Sequence, residues 1–112
     1  MVATDVEIED VVRSVVAQLQ PMVSVERVIL FGSYASGAPR KSSDIDMAII
    51  SSSFSGVPLW RRQEILAESL TDADVRLSPL GYSPEEYANP GRHSFLREII
   101  RTGRVVYQAP AG

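Results

Sequence analysis

Two apolar runs on either side of a polar segment constrain the fold of this chain more than any other feature. Val25–Phe31 is rich in β-branched and aromatic residues and ends at Gly32, and residues 44–50 alternate before they become wholly apolar. Short apolar runs of this composition are typical of buried strands, and the glycine predicts a tight turn at the end of the first run. We therefore expect two strands joined by small and polar residues.

Helical and strand patterns follow one another along the rest of the chain, which predicts an α/β protein. The further predicted elements are a helix that ends before Pro21, a helix over residues 58–70, a short strand that contains Val75 and Leu77 and ends at Pro79, a helix over residues 95–100 capped by Gly103, and a last strand over residues 105–107. We expect one domain over residues 1–108, followed by a tail over residues 109–112.

Composition excludes several classes of function. The 112 residues, 45% of them hydrophobic, suit a single globular core, and the net charge of -3 argues against nucleic acid as the main partner. Without cysteine, and with His93 as the one histidine, any metal has to be held by oxygen. No apolar run approaches the ~20 residues of a membrane span and no signal peptide is visible, so we expect a cytoplasmic protein without a membrane partner.

Asp44 and Asp46 are the first candidate site residues. Side chains alternate between the faces of a strand, so both carboxylates point the same way and repel each other. A divalent cation would relieve this repulsion. Magnesium is the natural candidate, because it binds carboxylate oxygens and keeps coordination positions for phosphate.

The segment between the two strands carries the features of a phosphate site. Gly32 lets the backbone approach a ligand closely, and the amides that follow it, together with the Ser33 hydroxyl, favour an anion. Arg40 and Lys41 add positive charge beside the proposed phosphates, although a solvated loop is an equally simple interpretation of these two residues. The sequence therefore predicts an anion pocket that faces a metal pocket.

The pattern Gly32-Ser33, ten residues, then Asp44-Ile45-Asp46 resembles the signature of the nucleotidyltransferase superfamily that includes DNA polymerase beta and kanamycin nucleotidyltransferase. Residues 31–37 and 43–49 are most similar to the minimal nucleotidyltransferases of that superfamily. Residues 95–107 also resemble their last helix and strand, so the likeness covers nearly the whole chain. It implies a small, mixed, mostly antiparallel sheet with helices on one face.

The resemblance also implies roles for individual residues. Asp44, Asp46 and a third carboxylate would hold two magnesium ions, and Gly32 and Ser33 would hold the outer phosphates of a nucleoside triphosphate, with ATP as the usual substrate. Asp74 suits the third position better than Asp72, because it heads a predicted strand whereas Asp72 belongs to the preceding turn. In this position Asp74 would orient or deprotonate the acceptor hydroxyl. The reaction would be in-line attack of a hydroxyl on the α-phosphorus with departure of pyrophosphate.

Three functions remain open at this stage. The first is a transferase that places a nucleoside monophosphate on a hydroxyl of a partner protein or small molecule. The second is the antitoxin-type partner of a helical HEPN-like toxin, which the resemblance implies, and the third is a nucleotide-binding module without catalysis. We expect the acceptor to belong to another molecule, with Trp60 and Tyr87 as candidate anchors and self-association as a possible state of the isolated chain.

Overall fold

The computed structural model of the protein describes residues 5–32, 35, 44–71 and 77–110. In chain order its helices and strands are α1 (Asp5–Leu19), β1 (Val25–Phe31), β2 (Ile45–Ser51), α2 (Leu59–Ser69), β3 (Leu77–Tyr82), α3 (Pro84–Ala88), α4 (Ser94–Thr102) and β4 (Arg104–Gln108). One turn of 3-10 helix, Ser52–Phe54, connects β2 to α2. No helix within the described ranges combines the length and the apolar character needed to cross a membrane.

The four strands form one mixed sheet in the order β3-β2-β1-β4. β1 lies antiparallel to both β2 and β4, whereas β2 and β3 are parallel. The two central strands are the apolar runs of the sequence, and their burial on both faces explains why neither run alternates throughout. The predicted α/β class with a mixed, mostly antiparallel sheet is confirmed.

Apolar side chains of the central strands point to both faces of the sheet, and each face is covered. Val28, Leu30, Met47 and Ile49 belong to the larger core, which they share with α1 and α2. On the opposite face, a smaller core joins residues of β1 and β2 to Ile99 of α4. The expectation of helices on one face therefore holds only for the two longer helices, because a central strand that is apolar on both sides needs cover on both.

Pro79 does not end the third strand as the sequence analysis expects. It lies within β3, which is an edge strand, so its missing N–H faces away from β2 and costs no ladder hydrogen bond. The carbonyl of Pro79 accepts a hydrogen bond from Gln63 Nε2 at 3.1 Å, and that of Gly81 accepts one from Arg62 Nη1 at 3.1 Å. Val75, the expected start of this strand, lies outside the described residues.

Helix α3 is absent from the sequence prediction, although a local signal for it exists. The Ser83 side chain accepts a hydrogen bond from the Glu86 N–H at 3.1 Å, and the Glu86 carboxylate accepts one from the Ser83 N–H at 2.8 Å. This reciprocal pair is a capping box, with Pro84 at the first helical position. The segment Ser83-Pro84-Glu85-Glu86 therefore predicts a helix start when it is read for caps rather than for apolar periodicity.

Candidate functional site

The candidate site lies at the end of the sheet where β1 stops and β2 begins. Gly32 directly follows β1, and Asp44 directly precedes β2. Asp46, the second residue of β2, lies opposite Phe31 in the antiparallel register. This register places the turn after β1 beside the Asp46 carboxylate, so the structure brings together Gly32, Asp44 and Asp46 as the sequence predicts.

Position 32 requires a glycine for two reasons, its backbone conformation and the close approach of a neighbouring side chain. Its φ is +73°, in the left-handed region that favours glycine. A Cβ atom on Gly32 would lie 2.2 Å from Asp46 Oδ2, well inside van der Waals contact. The Ala35 N–H donates to the Gly32 carbonyl at 3.2 Å. The backbone at Gly32 and the carboxylate of Asp46 thus form one packed unit.

The Asp46 carboxyl has an environment that disfavours its charged form. Burial raises its pKa above the usual value, a side-chain hydrogen bond from Ser78 opposes that rise, and the charge of Asp44 adds to it. Among the described residues, no basic side chain contributes to this shift. The two carboxylates therefore repel each other and would gain from a cation between them.

Ser78 is a site residue that the sequence analysis misses. It lies in β3 at the position in parallel register with Asp46, and its hydroxyl donates to the Asp46 carboxylate. No local pattern marks it, because its proximity to Asp46 depends on how β3 pairs with β2. The described part of β3 has the sequence LSPLGY and contributes no carboxylate.

The donor set fits a hard divalent cation. Two carboxylates, one of them packed against a glycine without a side chain, offer the oxygen ligands that magnesium prefers. No group of three or more His, Cys, Asp or Glu side chains that could hold a metal occurs within the described ranges. Asp74 and its alternative Asp72 both lie outside these ranges, as do Ser33, Arg40 and Lys41, so the roles of these residues stay predictions.

A buried ion pair fixes β3, and with it Ser78, against the rest of the fold. The Arg62 guanidinium, only 5% exposed, donates to the carbonyl of Val57 at 2.7 Å and to that of Gly81 at 3.1 Å. It also pairs with Glu86 Oε1 at 2.7 Å. Burial alone would raise the pKa of Glu86, but the hydrogen bonds from Arg62 and Ser83 outweigh it and the pKa is lowered. The pattern of α2 gives no sign that Arg62 points inward.

The two candidate anchors differ in the structure. Trp60 is 67% exposed at the start of α2, so it is not part of the core. Tyr87 is half-buried, and its hydroxyl accepts a hydrogen bond from Arg27 Nη1 at 2.7 Å. The guanidinium carbon of Arg27 lies over the Tyr87 ring, 4.8 Å from the ring centroid. Tyr87 therefore stabilises the fold, and Trp60 remains available to a partner.

Solved structures of similar fold share this architecture. A protein from Sulfolobus solfataricus assigned as a nucleotidyltransferase aligns with a TM-score of 0.68 at 13% identity, over 92% of this chain and 82% of its own. A toxin–antitoxin structure with AMP-PNP aligns with a TM-score of 0.56 at 18% identity, over 90% of this chain and 73% of its own. A mutant of the toxin–antitoxin complex MntA-HpeT gives a TM-score of 0.55 at 17% identity, with the same two coverages.

At these identities the structural likeness shows the fold. A comparison with curated proteins finds no significant match. The family model described as polymerase beta, nucleotidyltransferase, matches residues 14–111, which include all four strands and the carboxylate pair. Since this match spans most of the sequence and agrees with the observed sheet, the chain belongs to the polymerase beta family of nucleotidyltransferases.

Proposed function

We propose that this protein is a magnesium-dependent enzyme that transfers a nucleoside monophosphate, AMP from ATP, to a hydroxyl of a partner protein. The observation that carries the proposal is the contact between Gly32 and Asp46, because it joins a turn suited to phosphates to a carboxylate pair suited to a metal. In this arrangement the amides after Gly32, with Ser33, bind the outer phosphates, and Arg40 and Lys41 balance their charge.

The proposed reaction is an in-line displacement at the α-phosphorus. The oxygen of the acceptor hydroxyl forms a new bond to phosphorus, the bond to the bridging oxygen of the β-phosphate breaks, and pyrophosphate leaves with that electron pair. The proton of the hydroxyl passes to Asp74, the proposed third carboxylate. Two magnesium ions, when held by Asp44, Asp46 and Asp74, would stabilise charge on the attacking and leaving oxygens.

The proposed nucleotide and partner draw support from the structures of similar fold. One of them is a toxin–antitoxin structure with AMP-PNP, an analogue of ATP, and another is a toxin–antitoxin complex. We infer that the partner of this chain is a helical toxin of the HEPN type and that the chain acts as its antitoxin in the cytoplasm. The hydroxyl that receives AMP then belongs to that toxin.

Metal-dependent nucleotide binding tests the core of this proposal. Asp44→Ala should weaken the binding of magnesium with a non-hydrolysable ATP analogue by more than about 100-fold, since loss of an outer-shell partner of a metal ligand alone costs about 10–100-fold. Isothermal titration calorimetry measures the change. Asp10→Ala is the matched control, because Asp10 is an exposed carboxylate of α1 paired with Arg13. Equal affinities in Asp44→Ala and wild type would contradict the proposal.

The third carboxylate is tested by separating binding from turnover. Asp74→Asn should bind the analogue like wild type and lose transfer by about 100-fold or more, because a positioned general base contributes about 10²–10⁴-fold. Transfer is followed with labelled ATP and the co-expressed protein of the neighbouring gene. If Asp72→Asn is inactive while Asp74→Asn is active, the role belongs to Asp72.

A nucleotide-binding module without transfer is the second candidate. The observation in its favour is that β3 presents the Ser78 hydroxyl to Asp46 and that no described residue of β3 is acidic. Mass spectrometry of the co-expressed neighbour distinguishes the two functions. A mass increase of one or more nucleoside monophosphates supports transfer, whereas magnesium-dependent nucleotide binding without any such increase favours the module.

A further inference from the structure

An open groove of about 470 Å³ lies beside the edge strand β3, between the first turns of α2 and α4. Its lining residues are Leu59 and Gln63 of α2, Leu80, Gly81 and Tyr82 of β3, and residues 92–96 at the start of α4. The rim is apolar and open to solvent, with Leu59 60% exposed and Phe95 56% exposed. An exposed apolar cluster rimmed by polar groups is typical of a binding site for another protein.

The charge of this groove is opposite to that of the chain. The protein carries 14 acidic and 11 basic residues, yet the lining contains no carboxylate and includes Arg92 and His93. Within the described ranges, Arg92 makes no ion pair. The His93 side chain does not cap α4, so the positive end of the helix dipole adds to the charge of Arg92. The groove therefore favours a segment that combines carboxylates with aromatic or apolar side chains.

The groove lies on the face of the sheet that carries the Asp46 carboxylate. Ser78, Leu80 and Tyr82 alternate onto one face of β3, and Ser78 is the residue bonded to Asp46. At the usual rise of a strand, Leu80 lies about 7 Å from Ser78. From the other side, Phe95 makes an edge-to-face contact with Phe31 at a centroid distance of 5.7 Å, and Phe31 is in register with Asp46.

The order of the strands separates the two sides of the site. The Gly32 turn follows β1, and the groove lies along β3, so the two flank β2 and its carboxylates. In-line displacement requires the attacking oxygen and the leaving pyrophosphate on opposite sides of the phosphorus. If the outer phosphates bind at Gly32, as in the function proposed above, the acceptor has to approach from β3.

We propose that this groove docks the acceptor, a segment of a partner protein that combines carboxylates with aromatic or apolar side chains and presents a hydroxyl to the carboxylate pair. Leu59 and Phe95 contact the apolar part of the segment, and Arg92 pairs with one of its carboxylates. Trp60 follows Leu59 in the first turn of α2 and is largely exposed. The partner thus meets this chain through the first turns of α2 and α4.

Direct binding tests the groove without turnover. The probe is a fluorescent copolymer of glutamate and tyrosine, mixed with the protein, magnesium and a non-hydrolysable ATP analogue, and read by fluorescence anisotropy. Trp60, the single tryptophan of the chain, reports from beside the groove through its own emission. Arg92→Glu and Phe95→Ser should each weaken copolymer binding at least tenfold. Arg13→Glu, an exposed charge reversal on α1, is the control and should bind like wild type.

A lysine–tyrosine copolymer and the nucleotide affinity separate the possible outcomes. The groove proposal is overturned if the lysine copolymer binds as well as the glutamate copolymer, or if Arg92→Glu and Phe95→Ser bind like wild type. It is also overturned if Trp60 emission responds to the concentration of the protein alone, which would indicate a second copy in the groove. If the wild type binds the ATP analogue but not the glutamate copolymer, the groove proposal is overturned and the proposed function stands. If the wild type does not bind the ATP analogue, the proposed function itself is contradicted.

Discussion

Asp46 and Glu86 are both half-buried carboxylates close to β3, and their pKa values are shifted in opposite directions. Burial raises the pKa of Asp46, and the negative charge of Asp44 adds to this rise. Burial acts on Glu86 in the same sense, but Arg62 supplies a positive charge and two hydrogen bonds at 2.7 and 3.4 Å. The same cost of burial is thus offset at Glu86 and increased at Asp46.

This difference separates a carboxylate that stabilises the fold from one that is available to a ligand. Glu86 is satisfied by the protein, so a cation from solvent would gain little there. Asp46 is held between Gly32, Ser78 and the charge of Asp44, and a cation would relieve its repulsion. No described basic side chain contributes to the shift at Asp46, and this is the electrostatic environment that the proposed magnesium site requires.

Removal of Arg62 should produce the largest effect on stability. Arg62→Met leaves Glu86 without its counter-charge and deprives the buried carbonyl of Gly81 and the half-buried carbonyl of Val57 of their donor, so we expect the free energy of unfolding to fall by about 3 kcal/mol. Arg61→Met is the control on the same helix, because the pairs of Arg61 with Glu64 and Glu68 are exposed and worth at most about 1 kcal/mol. Urea denaturation measures both. Equal losses would mean that Arg62 contributes no more than a surface ion pair.

A methyl group at Gly32 should produce the next largest effect. Gly32→Ala and Gly56→Ala both place a side chain at a φ of +73°, which costs about 1 kcal/mol in each. Only at Gly32 would the Cβ meet the Asp46 carboxylate, whereas nothing lies within 4 Å at Gly56. We expect Gly32→Ala to cost a further 1–3 kcal/mol or so for overpacking, and to lose binding of the ATP analogue.

A double mutant isolates the contact between the two residues. In an Asp46→Ala background, the cost of Gly32→Ala should fall to that of Gly56→Ala, because the atom that the new Cβ displaces is gone. Urea denaturation of the four variants gives the coupling free energy. A cost of Gly32→Ala that is the same in both backgrounds would show that Asp46 is not what restricts position 32.

Local pattern was sufficient for part of this molecule. The bounds of β1 agree with the sequence prediction, because a run of β-branched residues that ends in glycine has one simple interpretation. Gly32, Asp44 and Asp46 lie close together because they flank one connection between neighbouring strands, whereas their role as a site stays a prediction. In such a connection, closeness along the chain becomes closeness in space.

Residues whose role depends on distant pairing were not predicted. Ser78 lies 32 positions after Asp46 in the sequence. The two become neighbours only through the parallel register of β2 and β3, which no periodicity encodes. Arg62 points inward because the carbonyls of Val57 and Gly81 and the carboxylate of Glu86 accept its hydrogen bonds there. The neighbouring charges of Arg61 and Arg62 instead predict a helix face exposed to solvent. The sequence analysis predicts a strand end at Pro79, because the sequence does not reveal that β3 is an edge strand.

The smallest predicted effect is an opposite response of the two carboxylates to pH, measured without metal in the presence of a chelator. The raised pKa of Asp46 means that its contribution to stability is present below its unfolded pKa and lost as pH rises through the folded value. The lowered pKa of Glu86 means the reverse, with stability present above the unfolded pKa of 4.5 and lost as pH falls.

At pH 7, Asp46→Asn should therefore raise the melting temperature and Glu86→Gln should lower it, each by a few degrees (a change of 1 kcal/mol corresponds to about 4–8 °C). Both differences from wild type should shrink as pH falls below about 4.5, where the carboxylates of the wild type become protonated. With magnesium and the ATP analogue at pH 7, the melting temperature of Asp46→Asn should fall below that of wild type, because a bound cation turns the repulsion at Asp46 into attraction. Glu86→Gln should show no such reversal. A melting temperature of Asp46→Asn below that of wild type in the chelator would show that Asp46 is a structural carboxylate like Glu86, and the contrast between the two would be lost.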